Sequence, residues 1–172
     1  MSHIPAAALV ASLALPAFTA FESYTIADDY AIRFDTRGAE GTFTGLTGTV
    51  VFDEDDLAGA RFDVTVDATT ISTGNATKDK HARGDNWFDV ERYPEIGFRS
   101  SAFAKTADGY AVTGMLTLHG VERAVTIPFT FEGAVFEGTL TVDRGDYGID
   151  GPFLIGGTVG GEVAVRLRVP GE

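Results

Sequence analysis

Cysteine is absent from the 172 residues. Disulfides, thiolate nucleophiles and Cys-ligated zinc or iron–sulfur centres are therefore excluded. Histidine is nearly as scarce. His3, His81 and His119 are the only three, too scattered for a His-based metal site, so no metal is expected. Positive charge is also short. Lys plus Arg number 13 against 25 Asp plus Glu, a formal net charge of −12. Nucleic-acid binding and electrostatic docking on anionic lipid both draw on Lys and Arg, and neither is expected here. Dinucleotide, P-loop and G-x-S-x-G fingerprints in their required context are missing. The acidic run Asp53-Glu54-Asp55-Asp56 lacks the Gly and distal Glu of a calcium loop and reads as a solvated turn.

No apolar run is long enough for a comfortable membrane span. Residues Ile4 to Ala20 carry no charge but are broken by Pro5 and Pro16, and a span needs about 20 apolar residues. Stable membrane insertion is not expected. A secretory signal peptide over residues 1–20 fits this composition, leaving one domain at 21–172 and a periplasmic or secreted location. The alternative is an apolar N-terminal helix packed on the domain.

What is abundant is Gly, 21 residues, and Phe, 13 residues, a composition suited to short strands and tight turns. From Tyr24 onward the apolar residues alternate. Phe62, Val64, Val66 and Ala68 share one side; so do Val112, Gly114, Leu116 and Leu118. Val125, Ile127, Phe129 and Phe131 form another such side, as do Phe136, Gly138, Leu140 and Val142, and finally Val163, Val165, Leu167 and Val169. Strict alternation predicts antiparallel strands with one dry face. Ala107-Asp108-Gly109 and His119-Gly120 read as hairpin turns. Pro128 predicts an edge position or a local bulge. About eight strands with so little helix must cover their apolar faces with each other, as a sandwich or a closed barrel. A barrel of that size is either filled or holds one small ligand.

The alternation stops between Thr73 and Arg92. Asn75 predicts an N-cap for a helix through Arg83, and Asp85 or Asn86 a second one through Val90, ended at Tyr93-Pro94. This helical excursion, at about residues 75–91, is expected to cover one end of the sheet.

Several segments resemble the YceI-like family. Lys78 to Phe98, KDKHARGDNWFDVERYPEIGF, resembles its signature. Gly41-Thr42-Phe43-Thr44-Gly45-Leu46-Thr47-Gly48, Gly114-Met115-Leu116-Thr117-Leu118-His119-Gly120-Val121 and Asp143-Arg144-Gly145-Asp146-Tyr147-Gly148 match further motifs in order. The chain departs from the pattern at Asp28-Asp29-Tyr30, where His-Ser is usual, and at Ala82, Trp87 and Asp143. The resemblance implies an antiparallel lipocalin-like β-barrel whose interior holds a long isoprenoid, an isoprenoid quinone or another amphiphilic chain. It also implies an exported bacterial carrier rather than an enzyme, with no catalytic residue and no cofactor beyond the bound lipid.

Candidate residues follow from the apolar load and the few basic groups. Phe34, Phe43, Phe62, Val64, Trp87, Phe88, Phe98, Leu116, Ile127, Phe129 and Phe131 are the expected lining. His81, Arg83 and Arg144 are the expected partners of a polar head, although Arg144 between Asp143 and Asp146 also reads as an ion-pairing residue. Two rival readings remain. One is an enzyme acting on the lipid with His81 and Asp79 as acid–base groups. The other is a solid-core interaction or stress-response module, with a homodimer as its simplest partner.

Overall fold

The computed structural model describes residues 22–151 and 159–172. The expected signal peptide lies outside the described residues, as does the first part of the Gly-rich stretch at 156–161. Nine strands are present among the described residues: β1 (Ser23–Tyr24), β2 (Ala31–Thr36), β3 (Ala39–Val51), β4 (Arg61–Ser72), β5 (Glu95–Thr106), β6 (Gly109–Leu118), β7 (Val121–Glu132), β8 (Val135–Asp143) and β9 (Glu162–Pro170). An α-helix, α1 (Ala76–Arg83), lies between β4 and β5. Every pairing is antiparallel. The strand order is β1-β3-β2-β9-β8-β7-β6-β5-β4, and a β3–β4 ladder joins the ends. The sheet therefore closes as a barrel, which leaves no long edge to solvent.

Two strands share one place in the wall. β1 pairs with the end of β3 through Ser23↔Val51 and Tyr24↔Val50. β2 pairs with the start of β3 through Ile32↔Phe43 and Phe34↔Gly41. Ile26 bridges Gly171 beyond β9. The segment from Ser23 to Thr36 is thus a single interrupted stave between β3 and β9, broken around the turn at Asp28-Asp29.

The alternation translates directly into inside and outside. On β6, Val112, Leu116 and Leu118 are buried, whereas Met115 between them is 40% exposed. The turn after β6 uses His119 at φ 52° and Gly120 at φ 73°, the left-handed pair that matches strand twist in a tight hairpin. At Gly120 a Cβ would lie 2.5 Å from the Tyr93 ring, so the position also needs the missing side chain.

Two local expectations are corrected. Asn75 does cap α1, its side chain accepting from the N–H groups of Thr77 and Lys78 at 3.0 Å. The second helix does not form: residues 84–92 are a run of turns. Asp89 stands at φ 43°, outside the right-handed helical region, and its N–H returns to the Gly84 carbonyl at 2.9 Å. Pro128 does not place β7 at an edge, since the β6 ladder runs past it at Ala111↔Pro128 without a shift. The ladder to β8 is what stops there, with Phe129↔Gly138 its last pair. A Pro lacks the N–H that would continue such a ladder. Beyond that point β7 and β8 diverge, and a 3₁₀ turn at Arg144–Tyr147 places Tyr147, 2% exposed, beside the seam.

The interior is unevenly filled. At the end where β3 finishes and β4 begins, Phe52 is wholly buried. Its ring lies 5.0 Å from Phe131, 5.1 Å from Tyr110, 5.5 Å from Phe129 and 5.6 Å from Phe136, all edge-on. Tyr24 adds edge contacts to Phe131 and Phe136 at 5.5 Å. Each pair contributes about 0.5–1.5 kcal/mol beyond its buried area. This aromatic plug closes one end of the barrel.

Candidate functional site

Above the plug the barrel is hollow. A cavity of about 440 Å³ runs toward the α1 end, within the usual range of small-molecule sites, about 300–1,000 Å³. Its wall is almost wholly apolar. Val64 and Val66 of β4, Leu140 of β8, and Val163, Val165 and Leu167 of β9 line it. These side chains point inward yet keep partial exposure, because they face empty space rather than one another.

Ten of the eleven residues expected to line an interior are on this wall. Phe62 and Phe129, with Phe136, belong both to the plug and to the cavity's floor. Val64, Phe98, Leu116 and Ile127 form the middle. Phe34, Phe43, Phe88 and Trp87 line the half nearer α1, with ring centroids 5.5 Å apart for Phe34–Phe43 and 5.7 Å for Phe43–Phe88. Phe34 folds over Gly41, where a Cβ would meet the ring at 2.6 Å. Phe131 is the exception. It packs tilted against Phe136, centroids 4.6 Å apart, within the plug and does not reach the cavity, because it sits one inward step further toward the closed end than Phe129.

The aliphatic wall was the part less visible in sequence. Leu140, Val165 and Leu167 are on the apolar side of their alternating runs, but nothing in a Val or Leu distinguishes a lining side chain from a packed one.

The mouth is built by α1 and the 3₁₀ turn. Four hydrogen bonds tie α1 to the end of β4. Asp79 Oδ1 accepts from the Thr73 N–H at 2.6 Å and from Thr73 Oγ1 at 2.7 Å. The Thr73 donors hold the Asp79 carboxyl below its usual value. Arg83 donates from Nε to the Thr69 carbonyl at 2.6 Å and from Nη2 to the Ile71 carbonyl at 2.8 Å. Arg83 is therefore a structural clamp rather than a group on the cavity wall, which corrects its expected place beside a polar head. It follows His81 by two residues, so the two side chains point to nearly opposite sides of the helix.

His81 does line the mouth, and so does Lys78 one turn before it. Lys78 was overlooked, although the spacing of three residues puts it on the same face. Arg144 also reaches the wall. Its guanidinium donates to the carbonyls of Ile149, Val159 and Gly160 and lies 5.2 Å from the centre of the Trp87 ring. It braces the loop between β8 and β9 against Trp87. The neighbouring acids are used otherwise: Asp143 accepts from the Gly145 N–H at 2.9 Å, and Asp146 pairs with Arg123 at 3.3 Å.

The acid–base alternative finds little support in this geometry. Among the described residues no hydrogen bond or ion pair joins His81 to Asp79, whose Oδ1 is occupied by Thr73. No group of three His, Asp or Glu among the described residues is placed to hold a metal ion. No helix among them is long and apolar enough to cross a membrane.

Known proteins are similar to this chain in sequence and in fold. In sequence, the chain is 37% identical over 123 residues to a UPF0312 protein of Pseudomonas syringae pv. syringae, covering 65% of this chain and 64% of that relative. It is 34% identical over 93 residues to a UPF0312 protein of Yersinia pestis, covering 54% of this chain and 48% of the relative. The matches thus span less than two thirds of those relatives' length. In structure, BcnA of Burkholderia cenocepacia superposes with a TM-score of 0.74 at 28% identity, covering 81% of this chain and 94% of BcnA. A polyisoprenoid binding domain from Saccharophagus degradans shares the fold with a TM-score of 0.55 at 14% identity, covering 86% of this chain and 91% of the domain. The family profile described as YceI-like domain matches residues 24–170, from β1 to the last residue of β9, and with the closed antiparallel barrel this shows that the chain belongs to the YceI-like family.

Proposed function

We propose that this protein is a non-enzymatic carrier that holds a long-chain amphiphile in its barrel: an isoprenoid, an isoprenoid quinone or a comparable lipid. The observation that carries this reading is the apolar cavity of about 440 Å³, stopped by aromatic rings at one end and bordered by polar side chains at the other. Such a hollow suits a guest with a greasy tail and one polar end. Burial of the tail contributes about 0.8 kcal/mol per CH₂, so affinity needs no charged contact along the wall. The name of the Saccharophagus domain points the same way. The apolar segment before Phe21 supports export, and we propose a periplasmic or secreted location; an intact Met1 on cytosolic protein would overturn that part.

The carrier reading is tested on purified protein by native mass spectrometry and organic extraction, which should release a bound amphiphile. Leu140→Trp fills the hollow from β8 and should abolish uptake of a fluorescent prenyl chain while the barrel stays folded by circular dichroism. Uptake that survives Leu140→Trp, or wild-type protein that neither carries nor takes up any such chain, would sink the proposal.

A further inference from the structure

The cavity's charge is opposite to that of the chain around it. Acidic side chains outnumber Lys and Arg by 25 to 13, yet the ionisable side chains on the described wall are Lys78, His81 and Arg144, with no Asp, Glu or Tyr among them. Not all three are equally available. The Arg144 guanidinium is engaged by carbonyls of the loop it braces. The two wall hydroxyls also have their protons directed into the protein. Thr36 Oγ1 donates to the Glu162 carbonyl at 2.6 Å, and Thr73 Oγ1 to Asp79 at 2.7 Å. That leaves Lys78 and His81, both exposed on one face of α1. Among the described residues neither side chain has a hydrogen-bond or ion-pair partner. The adjacent carboxylate, Asp79, is held by Thr73.

We propose that the guest carries an anionic oxygen head, a carboxylate or a phosphate, received at the mouth by Lys78 and His81. This rests on the carrier reading. A head of that kind supplies acceptors to the Lys78 ammonium and to an imidazole N–H of His81, and its charge is matched by Lys78 while Arg144 adds to the local field. The aliphatic tail lies along the wall below, so the head decides selection and the tail decides retention. A cationic rim in an acidic protein also disfavours guests with ammonium heads.

Trp87, the single tryptophan of the chain, is on the cavity wall and provides a fluorescence signal. The delipidated protein is titrated with hexadecanoate and hexadecanol, and with farnesyl phosphate and farnesol. The two acids distinguish a fatty-acid source from a prenyl-phosphate source. The better acid is expected to bind about tenfold more tightly than its own alcohol at low salt, an advantage that shrinks as screening increases. Lys78→Gln with His81→Gln should remove that advantage, bringing each acid down to the affinity of its own alcohol in the same variant, while Lys78→Arg should retain it. Both sites are exposed on α1, so thermal melting is expected to match wild type and to show that the variants are folded. Alcohols that bind as tightly as the acids would overturn the anionic head and leave the carrier reading intact. An acid preference that survives the double substitution would overturn the roles of Lys78 and His81. No binding of any of the four would remove the carrier reading, and this inference with it.

Discussion

Phe52 shows how much one side chain decides in this barrel. It is fully buried and its ring meets those of Phe62, Phe103, Tyr110, Phe129, Phe131 and Phe136. Its truncation leaves a hole that surrounding strands, fixed by their ladders, cannot collapse to fill. Phe52→Ala is expected to cost about 3–5 kcal/mol, read as a lower midpoint in urea denaturation. Tyr24, beside the same plug, makes a second prediction. Burial, then the hydrogen bond to Glu22 and the nearby carboxylates, push its phenol up to about 12. A raised value means that the fold favours the neutral phenol. Its stabilisation is therefore complete below the ordinary value of 10.0 and lost as the pH rises through about 12. A tyrosinate absorbance titration should show Tyr24→Phe removing a late-titrating phenol.

The helix α1 has no buried residue of its own. Eight residues of helix are marginal in isolation, so its first turn depends on the Asn75 cap and its position on Asp79 and Arg83 holding it to the end of β4. Arg83→Lys keeps the charge but loses the two-pronged donation to Thr69 and Ile71. It should cost about 1–2 kcal/mol and, in hydrogen exchange, speed the amides of α1 more than those of β6. Most of the strands were legible from sequence because a dry face and a wet face impose period two on side chains. The long β3 was harder to read, since two register shifts against β4, between Thr42 and Thr44 and between Thr44 and Thr47, disrupt the alternation. The second predicted helix failed for a local reason: Asp89 turns left-handed. Arg83 and Arg144 look alike in sequence, as Arg-Gly-Asp triplets, but one clamps a helix to β4 and the other braces a loop on Trp87.

Taken together, the plug and the hollow divide one apolar interior into a part that gives rigidity and a part that accepts a guest. Occupation of the hollow should therefore stabilise the entire barrel. A guest at about 100 times its Kd adds roughly 2.7 kcal/mol, which for a chain of this size raises Tm by roughly 5–10 °C. Delipidation followed by readdition of a prenyl chain, monitored by scanning calorimetry, checks this. An unchanged Tm across saturation would contradict binding inside the folded barrel.

Alternation and turn residues were enough to determine antiparallel strands that cover their apolar faces with one another, as a sandwich or a closed barrel, because those properties follow from neighbours a few residues apart. Whether the enclosed space would be packed or empty was decided only by the tertiary structure. That depends on how rings from β3 to β8 meet across the barrel: Phe52 and Phe131 fall together at one end and fill it, while Val64, Leu140 and Val165 face each other across a gap too wide for their side chains to close.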